Sequence, residues 1–154
     1  MATQTALKSQ FTKSPGTLVS ISKLAATDPK AAGLTYANLS VTIKQAQYQG
    51  GQSEEIDVTT LACDTKEFTT GLRDGGTFPM SGHWKLADEA QTVLRAAYAD
   101  GEPRAFKVEF KDGSKSYFLG LVTQFSWEAN VSGTVSGSFA VRVTGAVTFE
   151  PAAA

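Results

Sequence analysis

The sequence predicts a mainly β fold with one flanking α-helix, and three observations carry that prediction. From Val135 to Phe149 every odd position is apolar or glycine, while the even positions hold Ser136, Ser138, Ala140, Arg142, Thr144, Ala146 and Thr148. Side chains alternate across a strand with period two, so this is one long strand with a packed face and a small, polar face. Shorter alternating runs recur along the chain between Gly, Pro, Asn and Asp breakers. Only between Leu86 and Tyr98 does the apolar period lengthen to that of a helix.

Residues 1–15 are polar and aperiodic and end at Ser14-Pro15-Gly16, which reads as an N-terminal arm joined by a turn to a single domain over 16–150. Gly16 to Leu24 reads as a strand, and Ala25 to Gly33, with Asp28-Pro29, as a turn or short loop. Tyr36 to Lys44 reads as a second strand with Leu39, Val41 and Ile43 on one face. Glu54 to Thr60, with Ile56 and Val58, is expected to pair with it in a long hairpin. Leu61 to Gly76 shows no stable period and is expected to be a long loop, its glycines permitting sharp turns. Thr77 to Trp84 alternates again, and Pro79 points to an edge strand. The helix follows, with Asp88 and Gln91 in capping-box spacing and Gly101 and Pro103 as stops. Phe106, Val108 and Phe110 alternate up to Asp112-Gly113, which predicts a hairpin turn of the primed type. The returning strand is expected to place Tyr117, Leu119, Leu121, Thr123, Phe125 and Trp127 on one face. Residues 151–154 are expected to fray.

The chain has 154 residues and a formal net charge of -1, without the basic surplus of a nucleic-acid binder. No run reaches the length of a membrane span, and the start MATQTALKSQFTKSP lacks a signal peptide's apolar run. The expected compartment is therefore a reducing cytoplasm. Cys63 and His83 are the only thiol and imidazole. A thiol nucleophile would need both, with an acid such as Asp57 or Asp64, and no catalytic signature surrounds them. One Cys and one His at that spacing do not make a zinc site, and Glu54, Glu55 and Asp57 lack the spacing of a calcium loop. Gly71 to Gly76 lacks the Lys of a P-loop. The expectation is no catalytic residue, no metal and no cofactor. By pattern alone, the small polar face of the last strand is either an ordinary wet face or the lining of a pore.

Several short motifs, taken in order, carry a resemblance. Glu55-Ile56-Asp57-Val58-Thr59-Thr60, Phe68 with Gly71-Leu72-Arg73-Asp74-Gly75-Gly76-Thr77-Phe78, and Ser81-Gly82-His83-Trp84 come first. Leu94-Arg95-Ala96-Ala97-Tyr98, Phe110-Lys111-Asp112-Gly113, the run from Phe118 to Phe125 and that from Val135 to Gly145 follow. Together they resemble the major tail tube protein of long, non-contractile-tailed, lambda-like bacteriophages over roughly residues 35–149. The resemblance implies a β-sandwich or barrel-forming subunit with a flanking helix. Six copies would form a ring, and rings would stack into a hollow tube through which DNA passes unbound.

The expected partners are other copies of the chain, a tape-measure protein and the tail-tip and tail-terminator proteins. The expected location is the virion tail, assembled in the host bacterial cytoplasm. On this reading Thr134, Ser136, Ser138, Ala140, Arg142 and Thr144 face the lumen, with Glu109 as an alternative partner for Arg142. Phe68, Gly71, Leu72, Arg73, Asp74, Gly75 and Gly76 form an inter-subunit loop, and Phe11, Thr12 and Lys13 an inter-ring arm. Asp74→Ala or Gly75→Val is expected to leave a folded monomer that cannot extend a tube. A tube from a contractile or type VI-like injection machine and a small-ligand β-barrel are the alternatives, and a hydrolase using Cys63 is the remotest.

Overall fold

A computed structural model of the protein describes residues 9–31, 33–131 and 133–152. The arm's residues 1–8 and the last two alanines lie outside the described residues. The strands are β1 (Leu18–Ala25), β2 (Tyr36–Asn38), β3 (Ile43–Ala46), β4 (Ser53–Asp57), β5 (Phe68–Arg73), β6 (Met80–His83), β7 (Arg104–Glu109), β8 (Lys115–Glu128) and β9 (Ser136–Glu150). The helix α1 (Glu89–Asp100) lies between β6 and β7. Seven strands form one antiparallel sheet in the order β2-β1-β7-β8-β9-β6-β3, and β4 pairs with β5 in a separate two-stranded ribbon.

The two edges of the large sheet, β2 and β3, are consecutive in the chain and joined only by Leu39, Ser40, Val41 and Thr42. That link spans about 17 Å at most, so the sheet must curl until its edges approach one another. Leu39 is fully buried at this corner, its N–H donating to the Val19 carbonyl at 2.7 Å, and the Ser40 hydroxyl accepts from the Val19 N–H at 2.7 Å. The curled sheet encloses Phe106, Phe118, Ile21, Met80, Val141 and Phe139, and the Phe106 and Phe118 rings stack with centroids 5.3 Å apart. Burying each such ring contributes about 2–3 kcal/mol.

Helix α1 covers one end of this core with Ala90, Leu94 and Ala97. Asp88 caps it by accepting from the Gln91 N–H at 3.1 Å, and the Gly101 N–H closes it on the Ala97 carbonyl at 3.0 Å. The Gln91 side chain does not reach back to Asp88 as a capping box would. It is fully buried, donates to the His83 carbonyl at 2.6 Å and accepts from the Lys85 N–H at 2.8 Å, which fastens the helix to the end of β6. Leu86 precedes the helix and is exposed, contrary to the helical spacing that included it.

Five further expectations are corrected. The strand expected over Tyr36–Lys44 breaks at residues 39–42, where Asn38 Oδ1 accepts from the Ser40 N–H at 2.8 Å, and Val41 turns outward. No hairpin joins it to the run after Glu54, because β3 pairs with β6 and β4 with β5. The loop expected over 61–76 contains β5. Strand β6 lies between β9 and β3 and is not an edge, with Pro79 falling just before it. The turn at Asp112-Gly113 is not of the primed type: only Gly113 has positive φ (93°), whereas a type I′ turn needs it at both central residues and a type II′ turn at the first.

The face assigned to β8 is also corrected, because a bulge between Val122 and Gln124 changes its phase. Before it Phe118 and Val122 point into the core and Tyr117, Leu119 and Leu121 away from it. After it Phe125 is half-buried against the core, opposite Phe139, and Gln124, Ser126 and Glu128 share the outer face. A bulge adds one residue to one strand of a pair, so a strict period-two reading cannot pass through it.

Candidate assembly surfaces

The outer face of β9 carries the predicted lumen residues of the long strand on one side. Ser136 and Ser138 are exposed, Ala140 and Thr144 half-buried and Arg142 exposed, while Gly137, Phe139, Val141 and Val143 point into the core. Thr134 precedes the strand, with its Oγ1 3.3 Å from His83 Nδ1. Neighbouring strands extend this face with residues that the sequence reading missed. Ser126 and Ser138 share a hydroxyl hydrogen bond of 2.6 Å, and Ser81 pairs with Ser138 and with Gln45. Gln124 lies opposite Ala140 and Glu128 opposite Ser136. Towards Thr134 the result is a shallow surface of hydroxyls and amides, whereas Leu121 opposite Arg142 and Leu119 opposite Thr144 add half-buried apolar side chains to the rest of the face. The alternating polar residues Gln124, Ser126 and Glu128 were the available signal, hidden by the bulge.

Two cations belong to that face: Lys44 at its β3 margin, which makes no ion pair among the described residues, and Arg142 on β9, which is neutralised. Its Nη2 donates to Asp74 Oδ2 at 2.6 Å, so the alternative partner Glu109 is replaced by Asp74; Glu109 lies on β7 opposite Lys115 and Leu18. The Gly76 N–H, donating to Asp74 Oδ1 at 2.9 Å, is the main influence that holds the Asp74 carboxyl below the usual carboxylate range; desolvation opposes it, and the Arg142 guanidinium adds a further lowering. This pair joins two groups that the sequence had assigned to separate sites, the lumen strand and the loop.

The predicted loop is divided. Phe68, Gly71, Leu72 and Arg73 belong to β5, whereas Asp74, Gly75 and Gly76 form the link into the body. Both strands of the β4–β5 ribbon are exposed almost throughout, and their apolar side chains Ile56, Phe68 and Leu72 point into solvent. An isolated two-stranded ribbon is marginal in water, so this element needs an external surface to be stable. Asp57 anchors its far end by accepting from the Thr59 N–H at 2.9 Å. Cys63 Sγ lies 3.4 Å from both the Thr60 nitrogen and its hydroxyl in the same turn, whereas the His83 ring contacts Thr134.

Gly75 and Gly76 are packed into the subunit itself. A Cβ on Gly75 would lie 2.8 Å from the Val143 carbonyl oxygen and 2.9 Å from that of Gly145. The expectation that Gly75→Val leaves an intact fold is therefore corrected. Of the arm, Phe11 is 77 % exposed, Lys13 is exposed, and Thr12 Oγ1 donates to Asp112 Oδ2 at 3.1 Å.

Among the described residues no group of three or more His, Cys, Asp or Glu could hold a metal ion, and no helix is long and apolar enough to cross a membrane. The described residues thus form a curled β-sheet with a polar stretch on its outer face, an exposed two-stranded ribbon and a flanking helix. The chain belongs to the lambda phage tail tube protein family, which matches residues 27–150. It is a tail tube protein, a structural component of the virion tail.

The fold is similar to that of a chain in the tail of an empty gene transfer agent particle with C6 symmetry, with 21 % identity and a TM-score of 0.66. That match covers 90 % of this chain and 98 % of the other. It is also similar to the SPP1 tail tube, with 14 % identity, TM-score 0.63, and 86 % and 75 % of the two chains covered. A type six secretion system protein is less similar, at 16 % identity and TM-score 0.52, with 86 % and 81 % covered. No curated protein matches the chain.

Proposed function

We propose that this chain polymerises as stacked rings of six copies into the hollow tail tube of a long-tailed phage or related particle, through which DNA leaves for the host. The observation that carries the reading is the polar stretch of the outer face around Ser81, Gln124, Ser126, Ser136 and Ser138 on β6, β8 and β9, because a channel for a polyanion must be wetted, unobstructed and free of rows of cations. The one arginine on β9 there is matched by Asp74. Thr134, Ser136, Ser138, Ala140, Arg142 and Thr144 line the lumen in this proposal.

The β4–β5 ribbon with Phe68 and Leu72, together with the arm at Phe11, Thr12 and Lys13, makes the contacts between copies. Burial of those exposed apolar side chains supplies the association free energy. The ring and its tape-measure, tip and terminator partners complete the tail, and the role is structural, without catalysis. The contractile-machine alternative has the weaker support, since the fold matches the type six protein less well than the gene transfer agent tail.

Negative-stain electron microscopy across a concentration series, with preassembled tail tips as seeds and size exclusion in parallel, tests the proposal. Hollow tubes with a central channel are expected. A monomer that persists at high concentration with seeds present would refute it and return attention to the ligand-barrel alternative.

A further inference from the structure

The β8–β9 pair carries complementary features at its two ends. At the Lys115 end the curled sheet is open, and a pocket of 420 Å³ leads down to Phe78 and Phe118, walled by Tyr48, Phe110, Val147 and Phe149. At the Glu128 end three apolar side chains stand in water: Trp127 (61 % exposed), Val131 and Val135. An exposed tryptophan at a strand end, with two exposed valines on the connection to the next strand, offers large apolar side chains for a contact. The charges match as well. Glu128 lies beside Trp127, and Lys115 stands at the rim of the pocket; among the described residues Glu150 is paired with Lys30 at 3.4 Å, while Lys115 forms no close ion pair although Glu109 and Glu150 lie opposite it on the neighbouring strands.

We propose that the Trp127–Val135 end of one copy docks into the pocket of a second copy, with Glu128 against Lys115. The contact is heterologous, so each copy offers one knob and one socket, and the chain of contacts stays open and propagates along a filament. This rests on the polymerisation reading above and adds to it the surfaces that run copy to copy along the axis.

The test uses the full chain carrying Cys63→Ser with Ser116→Cys, which lines the pocket, and Glu128→Cys, which leaves Trp127 in place. Ser116 and Glu128 lie on one strand about 40 Å apart, far beyond the roughly 7 Å between Cα atoms that a disulfide allows. Any 116–128 bond therefore joins two copies. Tubes are assembled on tail tips, checked by electron microscopy, oxidised and run on a non-reducing gel. A ladder of covalent oligomers, absent from either single-cysteine chain, is expected.

Tubes without a ladder would overturn the docking while leaving the tube reading intact, and would give the pocket to another occupant such as the arm. Failure of the unsubstituted protein to form tubes would overturn both. In the unsubstituted chain, assembly should protect Trp127 from acrylamide, a change lost in Trp127→Phe. Trp127→Ala, shown folded by circular dichroism, should raise the concentration needed for assembly at least tenfold. An unchanged requirement would also refute the proposal.

Discussion

Gly76→Ala is expected to weaken the monomer itself, even though Gly76 belongs to the segment that the sequence marked for assembly. Gly76 sits at φ 94°, a left-handed region that costs an L-residue about 1–2 kcal/mol. A Cβ there would also overlap the Gln49 carbonyl oxygen and lie 2.8 Å from the Gly51 nitrogen, both of them backbone atoms that no rotamer change can move aside. The Gln49 carbonyl accepts from the Thr77 N–H at 2.8 Å, and the Thr77 carbonyl from the Gln49 N–H at 2.9 Å. Displacing this pair forfeits two hydrogen bonds worth about 1 kcal/mol each. The total is about 3–4 kcal/mol. For a chain of this size that lowers the melting temperature by about 6–16 °C. Thermal melts of the monomer followed by far-ultraviolet circular dichroism measure it directly. A melting temperature within about 2 °C of the unsubstituted protein would refute the reasoning and return this segment to a purely intermolecular role.

Three further outcomes are expected. Gln91→Ala removes both bonds that fasten α1 to β6 and strands the His83 carbonyl and Lys85 N–H, at a cost of about 2–3 kcal/mol by urea denaturation; a loss under about 1 kcal/mol would mean that water replaces the side chain. Arg142→Glu sets a second carboxylate against that of Asp74 and should impair tube growth, and Asp74→Arg in the same chain should restore it; no rescue would show that the pair is incidental. The carboxyls of Asp74, Asp57 and Asp112 are each held below the ordinary value of 3.8, chiefly by hydrogen bonds from Gly76, Thr59 and Ser114 respectively. Their native pKa is the depressed one, so the stabilisation they give is present above the unfolded value and is lost as pH falls through the native value. Carboxyl NMR titrations should show midpoints below 3.8, and midpoints at or above it would contradict the turn geometry.

What was legible in the sequence was whatever local periodicity encodes. The 15-residue β9, the helix with its Asp88 cap and the β7–β8 hairpin all announce themselves through spacing and stop residues. What was hidden depends on distant partners or on a single inserted residue. The bulge at Val122–Gln124 moved Phe125 to the core side of β8 and left Gln124, Ser126 and Glu128 on the polar surface. Strand β5 escaped notice because neither face of its ribbon is buried, so no apolar alternation marks it. The Arg142–Asp74 pair joins residues far apart in the chain, and only the fold could match them.

The strand order also governs when the subunit comes into being. Strand β1 pairs with β2 on one side but with β7 on the other, as in Val19 with Val108, so the first strand made must wait for most of the chain to be synthesised before its second neighbour exists. Pairings of such long range close slowly, on a scale of milliseconds to seconds, whereas the local β4–β5 ribbon can zip within microseconds. On the ribosome the ribbon residues therefore emerge, and can pair transiently, while the curled sheet is still open. During that interval a nascent chain shows the exposed apolar side chains of the ribbon beside an unfinished core. The delay sets a lower limit on how quickly assembly-competent subunits can be supplied.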